Sequence, residues 1–377
     1  MMMFKKRILL IGAMAASFVL PAVSSARPEN ADAHAVFVMT NDADANEVVA
    51  FDRAEDGTLS NPQRYKTDGR GSGGTVDPLS SQGSLTLSED RSWLFAANAG
   101  SGTLSVFRVS GSRLDLSDRV PTDGSEPNAV AQHGNLVYVL NTAGSSSVVG
   151  FRFQEGKLTR IPDSLRLLSE NGAGSGSVAF SPNGQFLAVT ERTSNSIDVF
   201  SVLGDGTLSP IKVNPSAGPG AFAVSFAPDG IALVSETGSA APNSAAISSY
   251  TVEADGTLVP ISVSVPTLGA ANCWNAATGN GRFVYVSNAG SSSIAGFAVS
   301  SGGTLTAIPG TIVALNPKGS SNIDIAVSAD DKFLFSLNAA SGRVGAFAID
   351  PVHGTVTSLG SFGDLPASAG LNGIAAN

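Results

Sequence analysis

One feature constrains this chain more than any other: the same strand–turn–strand unit recurs seven times. Phe283-Val-Tyr-Val-Ser-Asn288 runs through Ala289-Gly-Ser-Ser-Ser into Ile294-Ala-Gly-Phe297, an aromatic and β-branched run broken by turn residues and then resumed. Trp93–Asn98 with Leu104–Phe107, Leu136–Asn141 with Val148–Phe151, and Phe333–Asn338 with Val344–Phe347 repeat it with changed letters. The residue closing the first strand is Asn41, Asn98, Asn141, Glu191, Glu236, Asn288 and Asn338, at spacings of 43 to 57. The second-strand aromatic is Phe51, Phe107, Phe151, Phe200, Tyr250, Phe297 and Phe347, an independent marker with spacings of 44 to 56. A fixed period of this length means a repeat architecture.

Each unit holds two further strands. A small-residue run and tight turn precede the hairpin, as in Ser177-Val-Ala-Phe-Ser-Pro-Asn-Gly184 and Ala223-Val-Ser-Phe-Ala-Pro-Asp-Gly230. An edge strand follows it after Asp-Gly-Thr-Leu at 56–59, 205–208 and 255–258. The 42 glycines suit many short strands and tight turns, and no helical period of useful length follows the leader. Four short antiparallel strands per unit predict an all-β, seven-bladed β-propeller over residues 34–377. An open solenoid is the competing architecture, and the chain ends discriminate. The first unit lacks an innermost strand, whereas Leu371-Asn-Gly-Ile-Ala-Ala376 resembles one, so the C-terminal strand is expected to complete blade one and close the ring.

Lys5-Lys6-Arg7, the apolar stretch Ile8–Leu20 and the small-residue run ending at Ala26 read as a signal peptide over residues 1–26, too short to span a bilayer. Residues 27–33 form a polar lead-in. The expectation is an exported protein, periplasmic or secreted, with no membrane anchor after cleavage. The net charge of −9 becomes −12 once the three leader cations are removed, and no basic cluster remains, which argues against nucleic acid. Cys273 is the single cysteine, with apolar neighbours that read as an inert buried thiol.

Gly69-Arg-Gly-Ser-Gly-Gly74 matches a dinucleotide-binding pattern but lacks the following helix, so it reads as a loop. Asp42-Ala-Asp-Ala-Asn46 opens like a calcium loop, yet Glu47 and Arg53 stand at the glycine and bidentate-glutamate positions. His34, His133 and His353 share no ligand spacing. No metal and no cofactor are therefore expected. The irregular stretches 68–83, 240–246 and 266–271 are expected at the ends of the ring, where ligand contacts form. Units four and five replace the strand-end asparagine by Glu191, followed by Arg192, and by Glu236. These carboxylates either converge on one mouth of the central channel or substitute for turn asparagines. Asn288 and Asn338 are further candidate ligand contacts.

Ser181-Pro-Asn-Gly-Gln-Phe-Leu-Ala-Val189, Val284-Tyr-Val-Ser-Asn-Ala-Gly-Ser-Ser-Ser-Ile294 and the repeated Asp-Gly-Thr-Leu resemble the lactonase-type propeller family, which includes 6-phosphogluconolactonases and carboxymuconate-lactonising enzymes. The resemblance implies a His, two Arg and a Glu around the channel mouth. Its Glu falls on Glu236, the candidate general base. Its arginines fall on Gly218-Pro-Gly-Ala221 and Ala289, and its histidine near Gly176, so three of the four are missing. Lactone chemistry needs cations for the carboxylate and the developing oxyanion. The leading expectation is a monomeric protein that binds a small molecule or protein partner at a channel mouth, or a degenerate enzyme. The alternative is a diverged lactonase-like hydrolase acting through Glu236.

Overall fold

The structure, a computed structural model, describes residues 34–239 and 241–377; the stretches read as a signal peptide and a lead-in, and Ala240, lie outside the described residues. Seven antiparallel sheets follow one another around a central axis, four strands in each, with a short fifth segment, Arg166–Leu167, on blade three. In blades two to seven the chain runs from the innermost strand outwards, and in blade one the innermost strand is the last of the chain. The helical content among the described residues is one turn, Ala289–Ser291, and no helix there is long and apolar enough to cross a membrane.

Local chemistry explains why the unit repeats. In the turn after the innermost strand, a Ser or Thr hydroxyl donates to the Asn or Asp two residues on and accepts the N–H of the residue opening the next strand. Ser181 takes the Phe186 N–H at 3.0 Å, Thr278 the Phe283 N–H at 3.1 Å and Ser328 the Phe333 N–H at 3.0 Å. In each Asp-Gly-Thr-Leu turn the aspartate accepts the threonine N–H, the glycine adopts positive φ (+83° at Gly57), and the leucine is buried between blades.

The ring closes as expected. Asn372–Ala376 pairs antiparallel with His34–Met39, placing Phe37 opposite Ala375 and Val38 opposite Ile374. Ile374 is 5% exposed and belongs to an apolar core that continues through blades one, seven and six. Joining the two ends of the chain in one sheet leaves no open edge inside the ring. Ile374→Ala should cost about 2–4 kcal/mol and lower the melting temperature, while Val352→Ala at a 62%-exposed turn position should not move it. Scanning calorimetry on both variants checks this.

Candidate functional site

The innermost strands surround the channel, and blade two breaks their pattern. Its inner strand is Leu85–Leu87, three residues against six in Ser175–Phe180 of blade four. The residues before it, Leu79–Gly83, leave the blade and cross the channel. The Gln82 N–H donates to the Gly176 carbonyl of blade four at 2.8 Å. Across the axis in blade six, Gln82 Nε2 donates to the Asn275 carbonyl at 2.9 Å, and the Asn275 N–H donates back to Gln82 Oε1 at 3.0 Å. Trp274 Nε1 donates to the Ser81 carbonyl at 2.8 Å, and Ser81 Oγ donates to the Asn128 carbonyl of blade three at 2.7 Å. Each such bond is worth about 1 kcal/mol net, and together they tie a polar plug to three blades.

Above the plug, at the end where the inner strands begin, Asp77 accepts from Asn372 Nδ2 at 3.1 Å. Burial pushes the Asp77 carboxyl up to about 8, with nearby Asp324 adding to the rise. Burial likewise holds Asp324 at about 7, although its oxygens accept the Ile325 and Ile374 N–H groups. Arg192 acts on Asp77 in the opposite sense and lies over the Phe222 ring, 5.9 Å from its centre. Cys273 is buried and its thiol is pushed well up by that burial.

Arg192 is the sequence-predicted residue placed at this mouth. Glu236, fully buried, accepts Ser248 Oγ at 2.6 Å and Ser264 Oγ at 2.7 Å, within its own blade. Burial raises its pKa, and those serines together with the Gly218 N–H oppose the rise. Glu191 is equally buried and accepts Ser169 Oγ at 2.6 Å, Ser194 Oγ at 3.0 Å and the Glu170 N–H at 3.2 Å. Asn288 accepts Thr267 Oγ1 at 2.9 Å, and Asn338 Nδ2 donates to Asn316 Oδ1 at 3.0 Å; both side chains are buried. These four residues share one geometry: each grips the loop that arrives from the preceding blade.

The same grip explains glycines that motif reading left unexplained. A Cβ on Gly69 would overlap Asn98, on Gly124 Asn141, on Gly269 Asn288, and on Gly218 the Glu236 carboxylate. The signal was present in the chain as Thr-x-Gly at 67–69, 122–124 and 267–269, with Ser-x-Gly at 216–218. The glycine-rich loop 69–74 spends its N–H groups internally. Those of Gly69, Arg70, Gly71, Ser72 and Gly73 donate to Thr67, Ser101, Asp42 and, for the last two, Asn41.

The position expected to carry the family's histidine has a physical reason for its present occupant. A Cβ on Gly176 would run against the Phe222 carbonyl and close to the Ser80 carbonyl of the plug. The sequence matches the family model described as lactonase, seven-bladed β-propeller, over residues 34–171, 145–274 and 275–369. The chain belongs to the lactonase seven-bladed β-propeller family. No curated protein matches it. Among solved structures, a candidate 6-phosphogluconolactonase from Bacteroides uniformis is 20% identical, with a TM-score of 0.69 over 90% of this chain and 99% of that one. One from Bacteroides fragilis is 17% identical, with a TM-score of 0.70 over 93% and 100%. The periplasmic gluconolactonase of Pseudomonas aeruginosa is 20% identical, with a TM-score of 0.66 over 90% and 99%. At these identities the likeness to this lactonase-family chain is one of fold.

Two predictions follow from the geometry of the mouth and the grip. Asp77 and Asp324 hold their protons more tightly folded than unfolded. Their contribution to stability is full below the ordinary carboxylate range near pH 4 and is lost as pH rises to about 8. Asp77→Asn should therefore melt higher than the parent at pH 8 and no higher at pH 4. Gly124→Ala should destabilise by about 1–3 kcal/mol, and adding Asn141→Ser should recover part of the loss, as a denaturant double-mutant cycle would report.

Proposed function

We propose that this lactonase-family protein is an exported, non-hydrolytic propeller that binds a small molecule in the open end of its channel. The observation that carries the reading is the plug. Gln82, hydrogen-bonded to blades four and six, occupies the mouth where a family member would hold its substrate. Glu236 has the raised pKa that a general base needs, but it is fully buried and both carboxylate oxygens accept serine hydroxyls. A lactone's carboxylate or phosphate would meet one arginine there, Arg192, beside Asp77, instead of the two that the family resemblance implies.

The opposite end is open. Two cavities of about 370 and 280 Å3 extend from Gln82 toward the turns that follow the inner strands, and they share Gln82, Gly83, Thr86 and Glu89. Export is supported by the Lys5–Arg7 start and the apolar stretch that follows it.

The test uses protein recovered from the cell envelope, whose first residue should read as Arg27. It should hydrolyse 6-phosphogluconolactone and δ-gluconolactone no faster than buffer does, as should its Glu236→Gln variant. Turnover above background that disappears in Glu236→Gln would overturn the reading in favour of a diverged hydrolase.

A further inference from the structure

The larger cavity at the open end runs along the inner strands of blades seven, one and two. Its wall is mixed, with Leu87, Ala326 and Val327 beside Thr86, Ser88 and Glu89, and Gln82 closes its inner end. One cation lines it. Arg91 sits in the turn between Leu87 and Trp93 with φ at +59°, and its N–H donates to the Ser88 carbonyl at 2.8 Å. Its guanidinium forms no hydrogen bond or close ion pair with any described residue, Asp331 and Asp330 acting on it only through their charge, and Nη1 is buried without a partner. Arg91 as a whole is half-buried and keeps its charge, so leaving the N–H groups of the buried Nη1 unmatched is costly.

The carboxylates around it are already engaged. Asp331 accepts the Gly279 N–H at 2.5 Å and the Asn280 N–H at 2.9 Å. Asp330 pairs with Arg53 at 3.3 Å and accepts Ser328 Oγ at 2.6 Å. Glu89 accepts the Gly134 N–H at 3.0 Å and lies 2.6 Å from His133 Nδ1. Asp324, at the back of the cavity, accepts two backbone N–H groups. A ligand that completes this site brings its own acceptor for Nη1, together with an apolar body for Leu87, Ala326 and Val327.

We propose that this cavity binds a small organic monocarboxylate, its carboxylate on Arg91 and its apolar body against Leu87, Ala326 and Val327. A single negative charge fits better than a phosphate dianion, because one arginine faces several engaged acids in a protein of net charge −12 after its leader. The inference rests on the reading that ligands use the open end.

The test is isothermal titration of the mature protein with hexanoate and benzoate, each beside its neutral amide. Both carboxylates should bind saturably and more tightly than hexanamide and benzamide. Arg91→Gln should weaken carboxylate binding at least about tenfold, the loss expected for a charge-assisted pair, and Arg91→Lys should weaken it less. Ala326→Phe, which fills the cavity from its wall, should abolish binding of all four probes; circular dichroism checks each fold, and the Arg91 pair carries the test if the bulky variant misfolds. Carboxylate and amide binding alike, or unchanged affinity in Arg91→Gln, would overturn recognition by Arg91; loss of that binding in Ala326→Phe would leave the open-end reading standing. No saturable binding of any probe would overturn both.

Discussion

The propeller depends on one recurring contact: the side chain at the end of the second strand takes hold of the loop arriving from the blade before. A ring of separate sheets has few backbone bonds between blades, so apolar packing alone would leave the angle between neighbours soft. Asn288 receiving Thr267 at 2.9 Å and Asn338 reaching Asn316 at 3.0 Å set that angle by a directional bond at a buried point, and Asn98 adds one to the neighbouring blade's Asn46 at 2.9 Å. The glycine beneath Asn98, Asn141 and Asn288 is the complementary half. It lets the arriving backbone come closer than any side chain would allow. Glu191 and Glu236 perform the same task with a longer arm, and the extra reach is taken up by serines that satisfy the carboxylate oxygens. A buried carboxyl without those hydroxyls would be destabilising; with them it is a tolerated variant of the grip.

Much of this was legible in the chain. Seven hairpins, the Asp-Gly-Thr-Leu turns and the C-terminal strand that completes blade one are local patterns, and local patterns survive in sequence because turn chemistry is set by neighbours within a few residues. The direction of a strand-end side chain is different. Whether Glu236 faces the axis or the preceding blade depends on strand twist and on serines 12 and 28 residues away, which periodicity cannot rank. The plug was hidden for the same reason at greater range. Ser81 and Gln82 meet Trp274 and Asn275 across 193 residues of sequence, and the stretch 68–83 reads only as a long irregular connection. Its one clue was length, since long loops in compact domains tend to be functional. Arg91 offered less still: its significance is the partner it lacks.

The plug also links features that the sequence shows as unrelated losses. Once Leu79–Gly83 enters the channel, the Ser80 and Phe222 carbonyls crowd Gly176, and any side chain there would displace backbone on two elements. Removing cations from that mouth while it still holds Asp77 and Asp324 would leave two ionised carboxylates in a poorly solvated place. The structure answers by raising both proton affinities and by keeping Arg192 nearby. A mouth so arranged offers an incoming anion one cation, Arg192, beside two buried carboxyls. On the far side of Gln82, Arg91 lines the larger cavity beside Leu87, Ala326 and Val327. Plugging one end of the channel leaves the other reachable, because the seven inner strands present a second set of turns there, and a short loop of one blade is enough to make the two ends unlike.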